Sequence, residues 1–269
     1  MTDVALAFRD ADGPLRAALV HCLDFMNDLP AFRAYKERSW TSLGLAPGKT
    51  YLDVACGVGF DVMRMASAHP NAAFIGVDRS RAFLDLAGAR AAGLGNASFL
   101  EGDADRLPFP DDAFDGARID RSLQHIAAPA AAVAEMARVV RPGGRVVATE
   151  PDWGTFVLYN GDGATNCKVA DKWLESIAHP FIGRELGTLF ERAGIADIGC
   201  RAHVLAFSRF EEAEVVFDLT RLQENCVAAG LFSVETGREW RAAAERASQT
   251  GVFLACLTIV ERWGTVKGS

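Results

Sequence analysis

The chain has 269 residues, 50% of them hydrophobic and 23% charged, which is the composition of a globular protein and excludes a disordered chain. Its 28 Lys and Arg residues against 35 Asp and Glu residues give a net charge of −7 without a basic cluster, which argues against nucleic acid as a partner. No apolar run approaches the ~18–20 residues that cross a bilayer, and the N-terminal segment has no signal-peptide core, so we expect a cytoplasmic protein with no membrane partner.

The six cysteines do not have the spacing of a metal site. None belongs to a CxxC pair, and their separations match no zinc pattern. In a chain of this length without a secretion signal, reduced thiols are expected rather than a disulfide framework. We therefore predict no metal in this protein.

The pattern of the N-terminal segment predicts two helices. Apolar residues recur at helical spacing between Leu15 and Leu45, with a break at Pro30. Ala46-Pro47-Gly48 then interrupts the chain. We predict that residues 1–48 form a helical cap and that residues 49–269 form the main domain.

From Thr50 onwards, short apolar runs alternate with helical patterns. The predicted strands span residues 51–55, 73–77, 97–100, 114–119 and 145–149. The predicted helices span residues 61–69, 81–90 and 130–141, and Pro142-Gly143-Gly144 ends the last of them. This alternation implies right-handed crossovers and a parallel sheet, so we predict a Rossmann-like, doubly wound α/β core.

The C-terminal third contains less regular patterns. Residues 150–180 are rich in glycine and aromatic residues but show no clear period. Beyond them the predicted elements are a helix over 183–193, a strand over 195–207, helices over 210–229 and 234–248, and a β-rich run over 252–263. The sheet would then have seven strands, with substrate-covering insertions near 151–182 and 209–235.

A glycine-rich turn follows the first strand. Gly57 and Gly59 allow a tight turn and a close approach of the backbone to a ligand. The third small residue of a dinucleotide fingerprint is replaced by Val62, which moves the prediction away from NAD. Asp78 ends the second strand, where a carboxylate can accept hydrogen bonds from ribose hydroxyls or simply cap the next helix.

Several motifs occur in the order of one known family. They are Asp53-x-Ala55-Cys56-Gly57-x-Gly59, Asp78, Gly102-Asp103-Ala104, Leu107-Pro108-Phe109, Phe114-Asp115 and Arg141-Pro142-Gly143-Gly144. With these motifs the chain resembles the class I S-adenosylmethionine (SAM)-dependent methyltransferases, in particular the group with ubiquinone/menaquinone C-methyltransferases and bacterial natural-product methyltransferases. The resemblance implies strand order 3-2-1-4-5-7-6 with an antiparallel seventh strand.

The resemblance also implies a SAM site. Its methionine end would be held by the backbone near Ala55 and Cys56, by the Gly57 and Gly59 turn, by Asp53 at the amino group and by Arg121. Its adenosine end would be held by Asp78 at the ribose, Arg79 beside the adenine, Asp103 at the exocyclic amine and the amide of Ala104. All of these residues follow strand ends, where ligands of open α/β sheets bind.

The residues expected to carry the catalysis depart from the pattern of some relatives. Some natural-product relatives have a Leu-His-His pattern after the fourth strand and a carboxylate after the fifth, whereas this chain has Leu123-Gln124-His125 and Glu150. Gln124 cannot take a proton at neutral pH. His125 with Glu150 is therefore the predicted base, although His125 equally suits a helix-cap or core position, and His179 is a weaker alternative.

The predicted substrate site is mainly aromatic. We expect Tyr35, Gln124 and Trp153 to contact a small, largely apolar acceptor, within a wall that includes the N-terminal helices (Phe25, Phe32), the segment from Trp153 to Trp173 and the helix around Phe217 to Leu222. The same aromatic residues could instead close the core of a covering layer.

The resemblance leaves three functions open. The first is methyl transfer to an O-, C- or N-acceptor in bacterial specialised metabolism, and the second is a SAM-binding enzyme that catalyses a cyclisation or rearrangement without methylation. The third is a non-catalytic SAM-binding subunit, which predicts a degraded motif set, whereas the set in this chain is intact. Either a monomer or a homodimer is expected, and Val62 with the Asp103-Ala104 pair disfavours an NAD oxidoreductase.

Overall fold

The computed structural model describes residues 12–268, so residues 1–11 of the predicted cap lie outside the described part. A single seven-stranded sheet has the order β3-β2-β1-β4-β5-β7-β6. Its strands are β1 (Thr50–Val54), β2 (Ala73–Asp78), β3 (Ala97–Glu101), β4 (Phe114–Asp120), β5 (Val140–Tyr159), β6 (Ile195–Phe207) and β7 (Leu254–Val266).

Ten α-helices accompany the sheet in the described part of the chain. They are α1 (Arg16–Asp28), α2 (Pro30–Leu43), α3 (Phe60–Ala68), α4 (Arg81–Arg90), α5 (Pro129–Val139), α6 (Gly163–Ser176), α7 (Ile182–Arg192), α8 (Phe210–Phe217), α9 (Leu219–Ala228) and α10 (Val234–Gln249). A short 3-10 helix, Leu123–His125, follows β4.

The strand order confirms the predicted topology. Strands β1 to β5 pair in parallel, whereas β7 runs antiparallel to both β5 and β6. The chain order of the strands reverses between β1 and β4. The carboxyl ends of these two strands therefore diverge into a crevice, which is where ligands bind in this type of sheet.

The fifth strand is much longer than the predicted 145–149. It begins at Val140, so Pro142-Gly143-Gly144 lies within the strand element and not in a turn before it, and α5 ends at Val139. Its C-terminal half pairs with β7, for example Val157 with Cys256. Val157 and Cys256 are about a hundred residues apart in the chain. The strand depends on this long-range pairing, so the aperiodic sequence of residues 150–159 did not reveal it. Asp162 caps α6, another element that the aperiodic segment concealed.

The predicted helix over 210–229 is two helices. Asp218 lies between α8 and α9 in the left-handed region, with φ 48°, a conformation that Asp tolerates better than most residues. The break lets both Phe217 and Leu219, which flank it, become fully buried in one apolar cluster. A continuous helix would place side chains two positions apart about 200° from each other around its axis, on opposite faces.

The largest apolar cluster lies beside the crevice rather than within the α/β core. It joins α1 and α2 to α6, α8, α9 and α10 above the extended ends of β5, β6 and β7. At its centre are four rings in mutual contact, which we call the aromatic cluster: Trp153, Phe156, Trp173 and Phe217. This covering layer forms one wall of the crevice.

Candidate active site

A cavity of about 310 Å³ lies at the carboxyl ends of β1, β2 and β4. Twelve of the fifteen residues predicted for the site line it: Asp53, Ala55, Cys56, Gly57, Asp78, Arg79, Asp103, Ala104, Arg121, Gln124, His125 and Trp153. The structure therefore brings nearly all of the predicted residues to one cavity. The exceptions are Gly59, Glu150 and Tyr35.

The turn after β1 is tied to the end of β2. Gly57 has a positive φ of 55° and donates its backbone N–H to Asp78 Oδ2 at 2.8 Å, and Ser80 N donates to Asp78 Oδ1 at 2.9 Å. Burial raises the pKa of Asp78, while these two backbone bonds oppose the rise. Asp78 also lines the cavity, and each of its carboxylate oxygens can accept a further hydrogen bond.

Gly59 has a packing role and does not line the cavity, contrary to the prediction. Its φ is 80°, and a Cβ atom there would lie 2.7 Å from the Phe99 ring and 2.8 Å from Ala87 Cβ. The second glycine of the turn therefore lets α3 start close to β3 and α4. The first glycine, Gly57, is the one that lines the cavity.

A buried arginine forms the floor of the cavity. Arg118, in the middle of β4, is 1% exposed, and its Nη1 donates to Asp53 Oδ1 at 2.8 Å and to Asp61 Oδ2 at 3.0 Å. Burial raises the pKa of Asp53 to about 7 despite the guanidinium beside it. The sequence analysis missed Arg118 and Asp61, although an arginine between Ala117 and Ile119 in an apolar strand was a visible signal.

The floor continues to the cap through Lys36 and Asp120. Lys36 of α2 forms ion pairs with Asp61 and with Asp120, the latter at 2.5 Å. Asp120 Oδ1 also accepts hydrogen bonds from Tyr35 Oη at 3.0 Å and Thr149 Oγ1 at 2.6 Å. Burial opposes ionisation of Asp120, but Lys36 and nearby arginines lower its pKa well below the usual value. Asp120 is therefore an anion at neutral pH.

Tyr35 belongs to this floor and does not line the cavity. It is 2% exposed, its hydroxyl is directed to Asp120, and its ring contacts His203 with centroids 5.8 Å apart. Of the cap residues predicted to bound the substrate, Phe32 does line the cavity, whereas Phe25 does not. The substrate role predicted for Tyr35 is thus replaced by a positioning role toward Asp120.

Glu150 is fully buried and lies outside the residues that line the cavity. Its Oε1 accepts hydrogen bonds from the backbone N–H groups of Ser122 and Leu123, both at 2.8 Å. Burial raises its pKa to about 8, against the lowering effect of these bonds. Glu150 therefore holds the 3-10 turn after β4 and does not reach a substrate proton directly.

The same turn carries Gln124 and His125. Gln124 Oε1 accepts from Trp153 Nε1 at 2.6 Å, and its Nε2 donates to the carbonyl oxygen of Arg121 at 3.0 Å. Both ends of the amide are thus used within the protein, so Gln124 orients Trp153. His125 lines the cavity, whereas His179 does not and instead donates its backbone N–H to the Gln124 carbonyl.

The far end of the cavity is apolar. Phe32, Trp153, Trp173 and Phe217 line it together with aliphatic side chains of β6 and β7, namely Leu205, Leu257 and Ile259. We call this region the apolar arm. The apolar arm is continuous with the polar region around Asp78 and Asp103. A charged ligand and an apolar ligand could therefore lie next to each other in this one cavity.

Comparison with known proteins gives a consistent result. A family model described as a methyltransferase domain matches residues 45–194. A 37.1 kDa protein of transposon TN4556 from Streptomyces fradiae is 35% identical over 226 residues, which are 82% of this chain and 65% of that protein, so the chain spans just under two thirds of that relative. A demethylmenaquinone methyltransferase of Staphylococcus aureus is 29% identical over 198 residues, 66% of this chain and 82% of that protein.

Solved structures share the fold at lower sequence identity. The YcgJ protein of Bacillus subtilis has a TM-score of 0.62 at 18% identity, covering 88% of this chain and 100% of that one. Phosphoethanolamine N-methyltransferase 2 of Haemonchus contortus, solved with SAM, has a TM-score of 0.64 at 15% identity, covering 97% and 60%. The [4+2]-cyclase SpnF has a TM-score of 0.56 at 24% identity, covering 88% and 82%.

Proposed function

Because this chain belongs to the SAM-dependent methyltransferase family, we propose that it transfers the methyl group of SAM to a small, largely apolar acceptor of bacterial specialised metabolism. The observation that carries the proposal is the continuity of one cavity from the charged strand ends to the apolar arm. The cytoplasmic location and the monomeric or homodimeric state stay predictions from the sequence.

The side chains of the cavity suit SAM. Its acidic lining residues are Asp53, Asp61, Asp78, Asp103, Asp105 and Asp120, and its basic ones are Lys36, Arg79, Arg118 and Arg121. The acidic excess is matched to a ligand with net positive charge. Asp78 would hold the ribose, Asp103 and Ala104 the adenine, and Asp53 the methionine amino group. When bound, SAM supplies an electrophilic methyl group on a sulfonium sulfur.

The protein's contribution to methyl transfer is alignment and exclusion of water. As the methyl group passes from sulfur to the acceptor, the positive charge of the sulfonium is spread over both atoms. A water-poor site therefore favours the transition state over the more localised charge of the ground state. The aromatic cluster and the aliphatic residues of the apolar arm provide such a site next to the charged floor. An acceptor lying in the arm would have its nucleophilic atom directed toward the strand ends.

His125 is the candidate general base of the proposal. It lines the cavity on the turn after β4, and its backbone N–H donates to the Ser122 carbonyl, which holds the residue in that turn. Glu150 supports the same turn through Ser122 and Leu123. A hydroxyl acceptor would need His125 to take its proton, whereas a carbon or amine acceptor could react with other proton acceptors.

The relative named demethylmenaquinone methyltransferase supports an apolar acceptor. The alternative, a cyclisation or rearrangement without methylation, is favoured by one observation: Glu150, one half of the predicted pair of His125 and Glu150, does not line the cavity and accepts from the turn at Ser122 and Leu123 instead. The likeness to a [4+2]-cyclase concerns the fold only. Release of S-adenosylhomocysteine distinguishes the two reactions, because only methyl transfer produces it.

Calorimetric titration with SAM, and with NAD in parallel, tests the proposed cofactor. We expect micromolar binding of SAM, its loss in Asp78→Ala and Asp103→Ala, and no binding of NAD. Acceptor screening by S-adenosylhomocysteine release then tests methyl transfer. Binding of NAD without SAM would refute the proposal, and turnover of an acceptor without S-adenosylhomocysteine would favour the cyclase alternative.

A further inference from the structure

The two tryptophans of the apolar arm differ in how their indole N–H groups are paired. Trp153 Nε1 donates to Gln124 Oε1 at 2.6 Å. Trp173 Nε1 is buried, yet it has no hydrogen-bond partner among the described residues. Trp240, which belongs to the same large apolar cluster, is paired again, because its Nε1 donates to Asn166 Oδ1 at 2.7 Å. Trp173 is therefore the exception among the tryptophans of this cluster.

The surroundings of Trp173 within the protein are aromatic. The residue lies on the buried face of α6 and is 4% exposed. Its ring contacts Trp153, Phe156 and Phe217, the other members of the aromatic cluster, with centroids 5.2 to 6.4 Å apart. None of these three side chains has an oxygen acceptor, and the indole N–H of Trp153 is itself a donor. The cluster therefore packs the Trp173 ring without providing a partner for its N–H.

The cavity offers the remaining place for a partner. Trp173 lines it, and apart from the two tryptophans the described residues of the apolar arm have hydrocarbon side chains, namely Phe32, Phe217, Leu205, Leu257 and Ile259. An indole N–H that stays unpaired in such surroundings is unfavourable, and buried donors in folded proteins are nearly always paired. A ligand that brings an acceptor atom into the arm would remove this cost.

We propose that Trp173 recognises a carbonyl oxygen of the methyl acceptor by donating its indole N–H to that oxygen within the apolar arm. The indole is uncharged and cannot neutralise a carboxylate, so it suits a neutral oxygen. A hydroxyl would bring its own donor to a region whose side chains offer no acceptor, whereas a carbonyl brings acceptors alone. The proposal rests on the proposed function, because it takes the arm as the place of the acceptor, and it narrows that acceptor to apolar carbonyl compounds.

Two probes of the same shape test the carbonyl. Acetophenone and α-methylstyrene differ in that the carbonyl oxygen of the first is a methylene group in the second. Each is titrated into isotope-labelled protein, with and without S-adenosylhomocysteine, and the indole N–H resonances of the five tryptophans are followed by nuclear magnetic resonance. The same titrations give the affinity of each probe.

The variant is Trp173→Phe, which keeps an aromatic ring in the cluster and removes the N–H. Its matched control is Trp40→Phe. Trp40 Nε1 is likewise buried without a partner in the described part of the chain, but Trp40 does not line the cavity. The two substitutions thus remove the same chemical group, once at the cavity and once away from it.

We expect acetophenone to move the Trp173 indole proton downfield, and farther than α-methylstyrene does. The ratio of the two affinities, acetophenone over α-methylstyrene, should be about threefold to tenfold higher in the wild type than in Trp173→Phe, which is the contribution of one net hydrogen bond. Trp40→Phe should keep the wild-type ratio. An unmoved Trp173 resonance, an equal ratio in Trp173→Phe, or no binding of acetophenone overturns the assignment.

Failure of the proposed function gives a different result. In that case the wild-type protein does not bind SAM, while the titration without S-adenosylhomocysteine still tests Trp173. A tryptophan that acts only in packing would lose stability on substitution, measured by thermal denaturation, without a change in the affinity ratio. If Trp173→Phe does not fold, its resonance is assigned from side-chain correlation spectra of the wild type, and the shift with acetophenone decides.

Discussion

The ammonium group of Lys36 lies 2.5 Å from the carboxylate of Asp120, although one residue belongs to cap helix α2 and the other ends strand β4 beneath the cavity. Both side chains are largely buried, with exposed fractions of 15% and 6%. Lys36 also pairs with Asp61, and Asp61 in turn pairs with Arg118 at the floor of the cavity. Helix α2 is therefore joined to the floor of the cavity by buried ion pairs.

Removal of Lys36 should destabilise the protein strongly. In Lys36→Met, Asp61 and Asp120 stay buried with less compensation, so we expect a loss of about 3 kcal/mol in the free energy of unfolding. The control is Arg81→Met, which removes an exposed pair with Asp85 and should cost at most about 1 kcal/mol. Urea denaturation measures both, and equal losses would show that the Lys36 contacts add little.

Glu150 should make stability depend on pH. Its pKa is about 8 in the folded protein, above the ~4.3 of an unfolded chain. The folded state therefore binds more protons between these values, and the contribution of Glu150 to stability falls as pH rises from about 4 to about 8. Glu150→Gln should keep the bonds from Ser122 and Leu123 because its amide oxygen also accepts.

The Gln variant lacks the ionisation, so we expect it to match the wild type at pH 5 and to exceed its unfolding free energy by about 1–3 kcal/mol at pH 8.5. Denaturation curves at the two pH values give the comparison. A wild-type stability that rises over this range relative to Glu150→Gln would contradict the burial effect. A matched substitution at an exposed carboxylate, Glu235→Gln, should show no such difference.

The two glycines of the turn after β1 should respond differently to alanine. A Cβ at Gly59 meets Phe99 and Ala87 below 3.0 Å, so Gly59→Ala should lose about 3 kcal/mol of stability or more. A Cβ at Gly57 has no atom closer than 3.9 Å, so Gly57→Ala pays only the left-handed backbone cost of about 1–2 kcal/mol.

Ligand binding provides the second readout for this pair. Gly57→Ala adds a methyl group where the backbone faces the cavity, and we expect it to weaken SAM binding more than its stability loss would suggest. Thermal unfolding with and without SAM measures both effects. If Gly59→Ala folds normally, the assignment of Gly59 to packing is wrong.

His125→Gln should separate binding from catalysis. The variant retains a polar side chain of similar length, so the affinity for SAM should change little. With a hydroxyl acceptor, kcat should fall by about 10²–10⁴ because the proton acceptor is lost. With a carbon or amine acceptor the effect should be smaller. Steady-state kinetics with each acceptor class measures this, and an unchanged kcat with a hydroxyl acceptor would remove His125 from the proposed chemistry.

The sequence by itself determined the α/β core and the position of most of the residues that line the cavity. Short local patterns mark the turn after β1 with Gly57, the end of β2 with Asp78, and the Asp103-Ala104 pair after β3. Parallel strands bring their carboxyl ends to one edge of the sheet. Residues within such patterns were therefore placed correctly at the cavity without knowledge of any long-range contact.

Tertiary structure alone decided which polar residues are available to a ligand. Tyr35 is directed to Asp120, 85 residues away, Glu150 to the turn at Ser122, and Gln124 to Trp153. The length of β5 likewise depends on pairing with β7. A sequence pattern records which groups are present, but a buried polar group takes whichever partner folding brings within about 3 Å, because leaving it unpaired costs more than most single contacts provide.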